Sequence, residues 1–214
     1  GRRAEALERF QSWVDYLAGS SAESESQKTA RKAVLFGWAD VGAGRTAEAK
    51  ARLAEAEPLV SRLDPADGEQ TLFRYRLLRA EVALADGDVD RAAAYGREAV
   101  WPNFPNMNTP LLANYNLPYL KDVLARAYWK KGDLDAAAAE YRKLTTIDPS
   151  NQVRWMISPL YHYRLGRVLE EKGDKAGAAV EFRKFLEYWK DADKTHPEPA
   201  DARARLSALG TSGD

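Results

Sequence analysis

Apolar residues recur along this chain at steps of three and four, the spacing that lines one face of a helix. Leu7, Phe10, Val14 and Leu17 open the pattern. A stretch rich in Ser and Glu, residues 19–27, interrupts it and reads as a loop. The pattern then resumes and runs almost to the end. No segment alternates apolar and polar residues between Asn-Gly or Asp-Gly turns, so no strand is predicted. The fold class expected is all-α.

A second pattern lies over the first. "VGAGRTAEAKARLAEA", "LADGDVDRAAAYGREA", "WKKGDLDAAAAEYRKL" and "EEKGDKAGAAVEFRKF" each place a glycine between two helical stretches, at Gly44, Gly87, Gly132 and Gly173. A breaker that returns every 41 to 45 residues marks a repeat array. Glycine ends the first helix because it accepts a left-handed backbone. The next residue is Asp88, Asp133 or Asp174, each able to cap the following helix, and Thr46 is assigned that role in the first unit. Five residues after each glycine stands Ala49, Ala92, Ala137 or Ala178, small enough for two helices to approach closely. One turn later comes Leu53, Gly96, Tyr141 or Phe182 on the same face. Each unit is therefore an antiparallel helix pair whose apolar face needs a neighbour.

These residues resemble the tetratricopeptide repeat. The third unit carries Leu124-Ala125, Tyr128, Gly132, Ala137, Tyr141 and Pro149, and the fourth Leu165-Gly166, Leu169, Gly173, Ala178 and Phe182. The first has Phe36-Gly37, Gly44, Ala49 and Leu53, and the second Arg79-Ala80, Ala83, Gly87, Ala92 and Gly96. The resemblance implies a right-handed α-α superhelix of about four hairpins plus terminal capping helices, in one domain over 1–214. Its expected parts are an N-terminal helix at 1–18, units at 28–62, 70–100, 118–149 and 159–190, a capping helix at 198–209 and a flexible tail at 211–214. The stretch "FRKFLEYWKDADKTHPEPADARARLSAL" is similar to the end of repeat regions in large bacterial regulatory and signalling proteins. The start at Gly1 suggests a piece of a longer chain.

Composition narrows the function classes. Lys and Arg number 32, as do Asp and Glu, so the formal net charge is zero and the basic excess of a nucleic-acid binder is missing. No apolar run approaches ~18 residues, so no membrane span is expected. There is no cysteine, which removes disulfides, thiolate metal sites and cysteine nucleophiles without choosing a compartment; the cytoplasm is slightly favoured over an extracytoplasmic location. His162 and His196 lack metal-ligand spacing and suggest no Ser-His-Asp site. "GAGRT" lacks the Gly-Lys-Ser/Thr ending of a phosphate loop and fits the repeat turn. No cofactor and no metal are expected.

In the family the residue after the Leu-Gly step of each first helix faces a concave groove. Those residues here are Trp38, Glu81, Arg126 and Arg167. Trp129 and Lys130 lie one turn beyond Arg126, and Tyr163 one turn before Arg167. The resemblance thus makes Trp38, Arg126, Trp129, Lys130, Tyr163 and Arg167 the partner-binding candidates, suited to an acidic or carboxylate-bearing peptide. The alternative is that the two arginines pair with Glu170, Glu171 or Glu81 of the chain itself. A Pro- and Asn-rich segment, residues 99–118, supplies a second candidate site in Trp101, Phe104, Met107 and Tyr115, whose alternative is packing between units. The function expected is a non-catalytic scaffold for protein interaction. A ligand-sensing module and a self-association domain, giving a homo-oligomer, are the alternatives, and an enzyme is the least favoured class.

Overall fold

A computed structural model describes residues 2–20, 24–63, 65–99, 122–146, 157–191 and 196–210, in several helical stretches as backbone alone. Among them are ten helices and no strand. They are α1 (Arg2–Ser20), α2 (Glu25–Gly42), α3 (Thr46–Val60), α4 (Pro65–Ala85), α5 (Val89–Glu98), α6 (Val123–Lys131), α7 (Leu134–Thr145), α8 (Pro159–Lys172), α9 (Lys175–Tyr188) and α10 (Glu198–Ala208). The chain divides into two compact units, Gly1–Pro105 and Asn106–Asp214. The first holds α1 to α5 and the second α6 to α10. Trp101, Phe104, Met107 and Tyr115 lie outside the described residues.

All four predicted turns form, with one geometry. Gly44, Gly87, Gly132 and Gly173 have φ between 76° and 87°, the left-handed region. That conformation lets the next amide reach back five residues. Arg45 N–H donates to Asp40 O, Asp88 to Ala83, Asp133 to Tyr128 and Asp174 to Leu169, all at 2.8–3.0 Å. Two carbonyls that the helix end leaves open are satisfied in each turn, one by the glycine amide and one by its neighbour. Asp88, Asp133 and Asp174 then cap α5, α7 and α9, accepting from Arg91, Ala136 and Gly177 N–H at 2.9–3.1 Å. The first unit departs from the expectation. Thr46 is already the first residue of α3, Arg45 holds the cap position, and no side chain caps that helix. Arg45 instead donates its Nε–H to Asp40 at 2.9 Å.

The loop expected at 19–27 is also shorter than the composition suggests, because α2 begins at Glu25. Ser24 accepts from Gln27 N–H at 3.3 Å, and the Gln27 side chain accepts from Ser24 N–H at 2.8 Å. This reciprocal capping box converts a polar stretch into a helix start.

Close helix approach follows from the small residues. Ala49, Ala92, Ala137 and Ala178 are all fully buried at the hairpin contacts. Within the first unit α2 packs on α3, α4 on α5, and α4 against both α2 and α3, while α1 packs on α2. Phe10 meets Phe36 edge-on at 6.2 Å, and Lys32 pairs with Asp15 at 2.5 Å. Within the second unit α6 pairs with α7, α8 packs on α7 and α9, and α10 covers α9. Tyr141, Leu165, Phe182, Phe185 and Ala202 form its buried core, so α10 contributes through Ala202.

Gly166 shows how tight this packing is. A Cβ there would stand 2.7 Å from the Phe182 ring. Gly166→Ala is expected to destabilise the protein by about 1–3 kcal/mol through overpacking. Urea unfolding of the variant, compared with wild type, checks this; an unchanged midpoint would show that the α8–α9 contact is looser than described.

Candidate functional site

The expected contact residues of the second unit lie on its first helices, α6 and α8, which α10 extends as a third. Sequence register explains this. Arg126 and Arg167 occupy equivalent turns, with Trp129 one turn further along α6 and Tyr163 one turn back along α8. Trp129 donates its indole N–H to Glu171 at 2.7 Å. Arg167 lies over the Trp129 ring, 5.7 Å from its centroid. Its Nη1 reaches the Tyr163 hydroxyl at 3.4 Å and its Nη2 lies 3.8 Å from Glu171. Its Nε is buried without a hydrogen-bond partner. Trp129, Tyr163 and Arg167 are thus brought together. Lys130 is exposed on the same helix. Trp38 is in the other unit and is buried, as is Glu81.

Arg126 has a different environment. Asp122, just before α6, is completely buried. Arg126 Nε donates to it at 2.8 Å, Arg164 donates to its other oxygen, and the Tyr141 hydroxyl adds a third bond at 3.2 Å. Burial and the Asp122 carboxylate push the Tyr141 hydroxyl far above its usual range, so it acts as a donor. One carboxylate therefore ties α6, α7 and α8 together. Sequence reading did not find Asp122 or Arg164, since neither follows the glycine register and a short polar residue before a helix reads as a cap.

On α10, Asp201 accepts from the Tyr163 hydroxyl at 2.7 Å and from Arg205 Nε at 2.6 Å, and Arg205 also binds Glu170. Hydrogen bonding from Arg205 leads in holding the Asp201 carboxyl below the ordinary range. Burial, aided by Asp201, raises the Tyr163 hydroxyl. Of the expected partner acids, Glu171 does face Arg167, whereas Glu170 serves Arg205. His162 is buried, with Nδ1 2.6 Å from Glu181. Burial works against the Glu181 charge, but His162 and Lys184 prevail and hold its pKa low. His196 is half-exposed beside Trp189. Among the described residues no group of three His, Cys, Asp or Glu is placed to hold a metal, and no helix is long and apolar enough to cross a membrane.

The fold and this surface define an α-helical hairpin repeat protein. The repeats can be named: residues 72–108 and 122–151 match family models described as tetratricopeptide repeat, so the chain carries tetratricopeptide repeats. No curated protein matches the chain.

Asp122→Ala is expected to cost about 3 kcal/mol, because two arginines lose a buried carboxylate. Urea denaturation measures the loss, and amide exchange places it across α6 to α8. Asp201→Asn is expected to cost up to about 1 kcal/mol at neutral pH, since the pair is partly solvated. The Asp201 pKa is lower folded than unfolded, so its contribution is complete above the ordinary aspartate range. It fades as the pH falls through the folded value. The difference between variant and wild type should therefore shrink on acidification; a constant difference would remove the carboxylate from the account.

Proposed function

We propose that the chain is a non-catalytic scaffold whose second unit binds an acidic peptide segment on the α6–α8 face. Tetratricopeptide repeats generally mediate protein–protein interaction, and two such repeats are present. What supports the narrower reading is the state of Arg167. Its guanidinium is part-buried, rests over Trp129, and meets the Glu171 carboxylate only at 3.8 Å. A peptide carboxylate at normal ion-pair distance would replace a long contact with a bidentate one. Glu171 would stay half-solvated and keep the Trp129 indole bond, so the exchange strands no charge. Trp129 and Tyr163 offer ring surface for the neighbouring peptide residues, and Lys130 extends the positive side. Arg126 borders this surface but is committed to Asp122, so its role is to shape the face. Trp38 stands as a separate candidate in the first unit. The C-terminal sequence suggests a place within a larger regulatory protein.

The test is a peptide-array screen on the whole chain, followed by calorimetry of the best acidic sequence. Arg167→Glu is expected to weaken that peptide by roughly tenfold or more. Lys143→Glu, on the exposed side of α7, should leave it unchanged. Equal binding by Arg167→Glu would overturn the reading.

A further inference from the structure

The first unit contains a pocket that the α6–α8 reading does not use. It lies where α3, α4 and α5 meet, and its volume is about 310 Å³. That is the lower end of the range for small-molecule sites, too small for a helix. Its floor is one face of α4, where Tyr75, Val82 and Ala83 sit among residues spaced by helical turns. Leu53 and Ala54 of α3 and Tyr95 of α5 form the walls.

The charges in the pocket are unevenly committed. At one end Lys50 and Asp86 close an ion pair at 2.6 Å. At the other end Glu57 lies near Tyr75, where it helps to raise the tyrosine pKa, though burial contributes more. Between them is Arg79. Its guanidinium stacks 3.8 Å from the Tyr95 ring centroid and lies 5.9 Å from that of Tyr75. Its carboxylate contact, with Glu98, is 3.5 Å long, the limit of a hydrogen bond. Burial opposes charge on Arg79, but Tyr95, Tyr75 and Glu98 keep it a firm cation. The side chain is held in place by the rings and by a hydrogen bond with Tyr95, and its carboxylate contact is a long one. Preorganised guanidinium of this kind favours carboxylate recognition.

We infer that this pocket binds a small monocarboxylate with an aromatic or apolar body, its carboxylate on Arg79 and its body against Tyr75, Tyr95 and Leu53. Asp86 is paired with Lys50, and Arg91 at the rim is paired with Asp88, while Glu57 beside Tyr75 disfavours a second negative charge. The same chemistry is carried by a free organic acid and by the C-terminal residue of a polypeptide.

The probe is N-acetyl-L-phenylalanine, titrated into the isotope-labelled 214-residue chain and followed by NMR. Saturable shifts at Tyr75, Arg79 and Tyr95 are expected, with a Kd of about 1 mM from ordinary ligand efficiency. The corresponding amide should bind at least roughly tenfold more weakly, because it lacks the charge. Arg79→Gln removes the anchor, and Ala54→Leu fills the pocket without touching a charge; each should abolish the shifts in a folded chain, while Arg167→Glu leaves them intact. Comparable binding of a hexapeptide ending in phenylalanine with a free carboxylate would identify a polypeptide C-terminus, and loss of binding in that peptide would identify a free acid. Absence of saturation at about 20 mM, equal binding of the amide, or retention by Arg79→Gln would overturn the proposal.

Discussion

One backbone hydrogen bond sets the form of each hairpin: the amide after the turn glycine donates to the carbonyl five residues earlier. It needs a left-handed residue, and the four glycines with φ near 80° supply one. The bond fixes where the second helix starts and how it returns along the first. A fixed return encloses the fifth residue after the glycine, where a small side chain lets the two helices approach closely. All four positions are alanine and all are fully buried. The face of each hairpin, and hence the residues available to a partner, follows from this local geometry.

Polar groups then join neighbouring helices in the second unit. Asp122 binds Arg126, Arg164 and Tyr141, and Asp201 binds Tyr163 and Arg205. These contacts differ in exposure, and exposure decides what each can do. Asp122 has no access to solvent, so a lost partner leaves a desolvated charge behind. Asp201 is partly hydrated and can exchange partners at small cost. The same row of first helices therefore contains a rigid anchor at one place and adaptable pairs at another.

The turns were legible in the sequence because glycine conformation and alanine size are local constraints repeated four times, and aspartate capping is repeated three times. The same signals carried the fold class and brought Trp129, Tyr163 and Arg167 to neighbouring turns. Two local misreadings have physical causes. Ser24 to Gln27 looks like a polar loop because a capping box uses the same residue types. Thr46 looks like a cap because Arg45, at the usual aspartate position, satisfies Asp40 instead. Asp122 was illegible for another reason: its partners lie four, nineteen and forty-two residues away and meet only after three helices pack.

Arg126 and Arg167 are equivalent in register, yet the structure gives them different chemical freedom. Arg126 is held at 2.8 Å by a carboxylate with no exposure, and moving it would leave one oxygen of that buried group without this donor, although Arg164 and Tyr141 still hold the other. Arg167 is held at 3.8 Å by a carboxylate that water can solvate. Arg79, in the other unit, meets Glu98 at 3.5 Å and is likewise exchangeable. Register locates a guanidinium on the repeat surface, but its availability depends on whether its present partner can return to water. By that criterion Arg167 and Arg79 suit the external carboxylates proposed above better than Arg126 does, and Arg126 is part of the frame that holds its helices together.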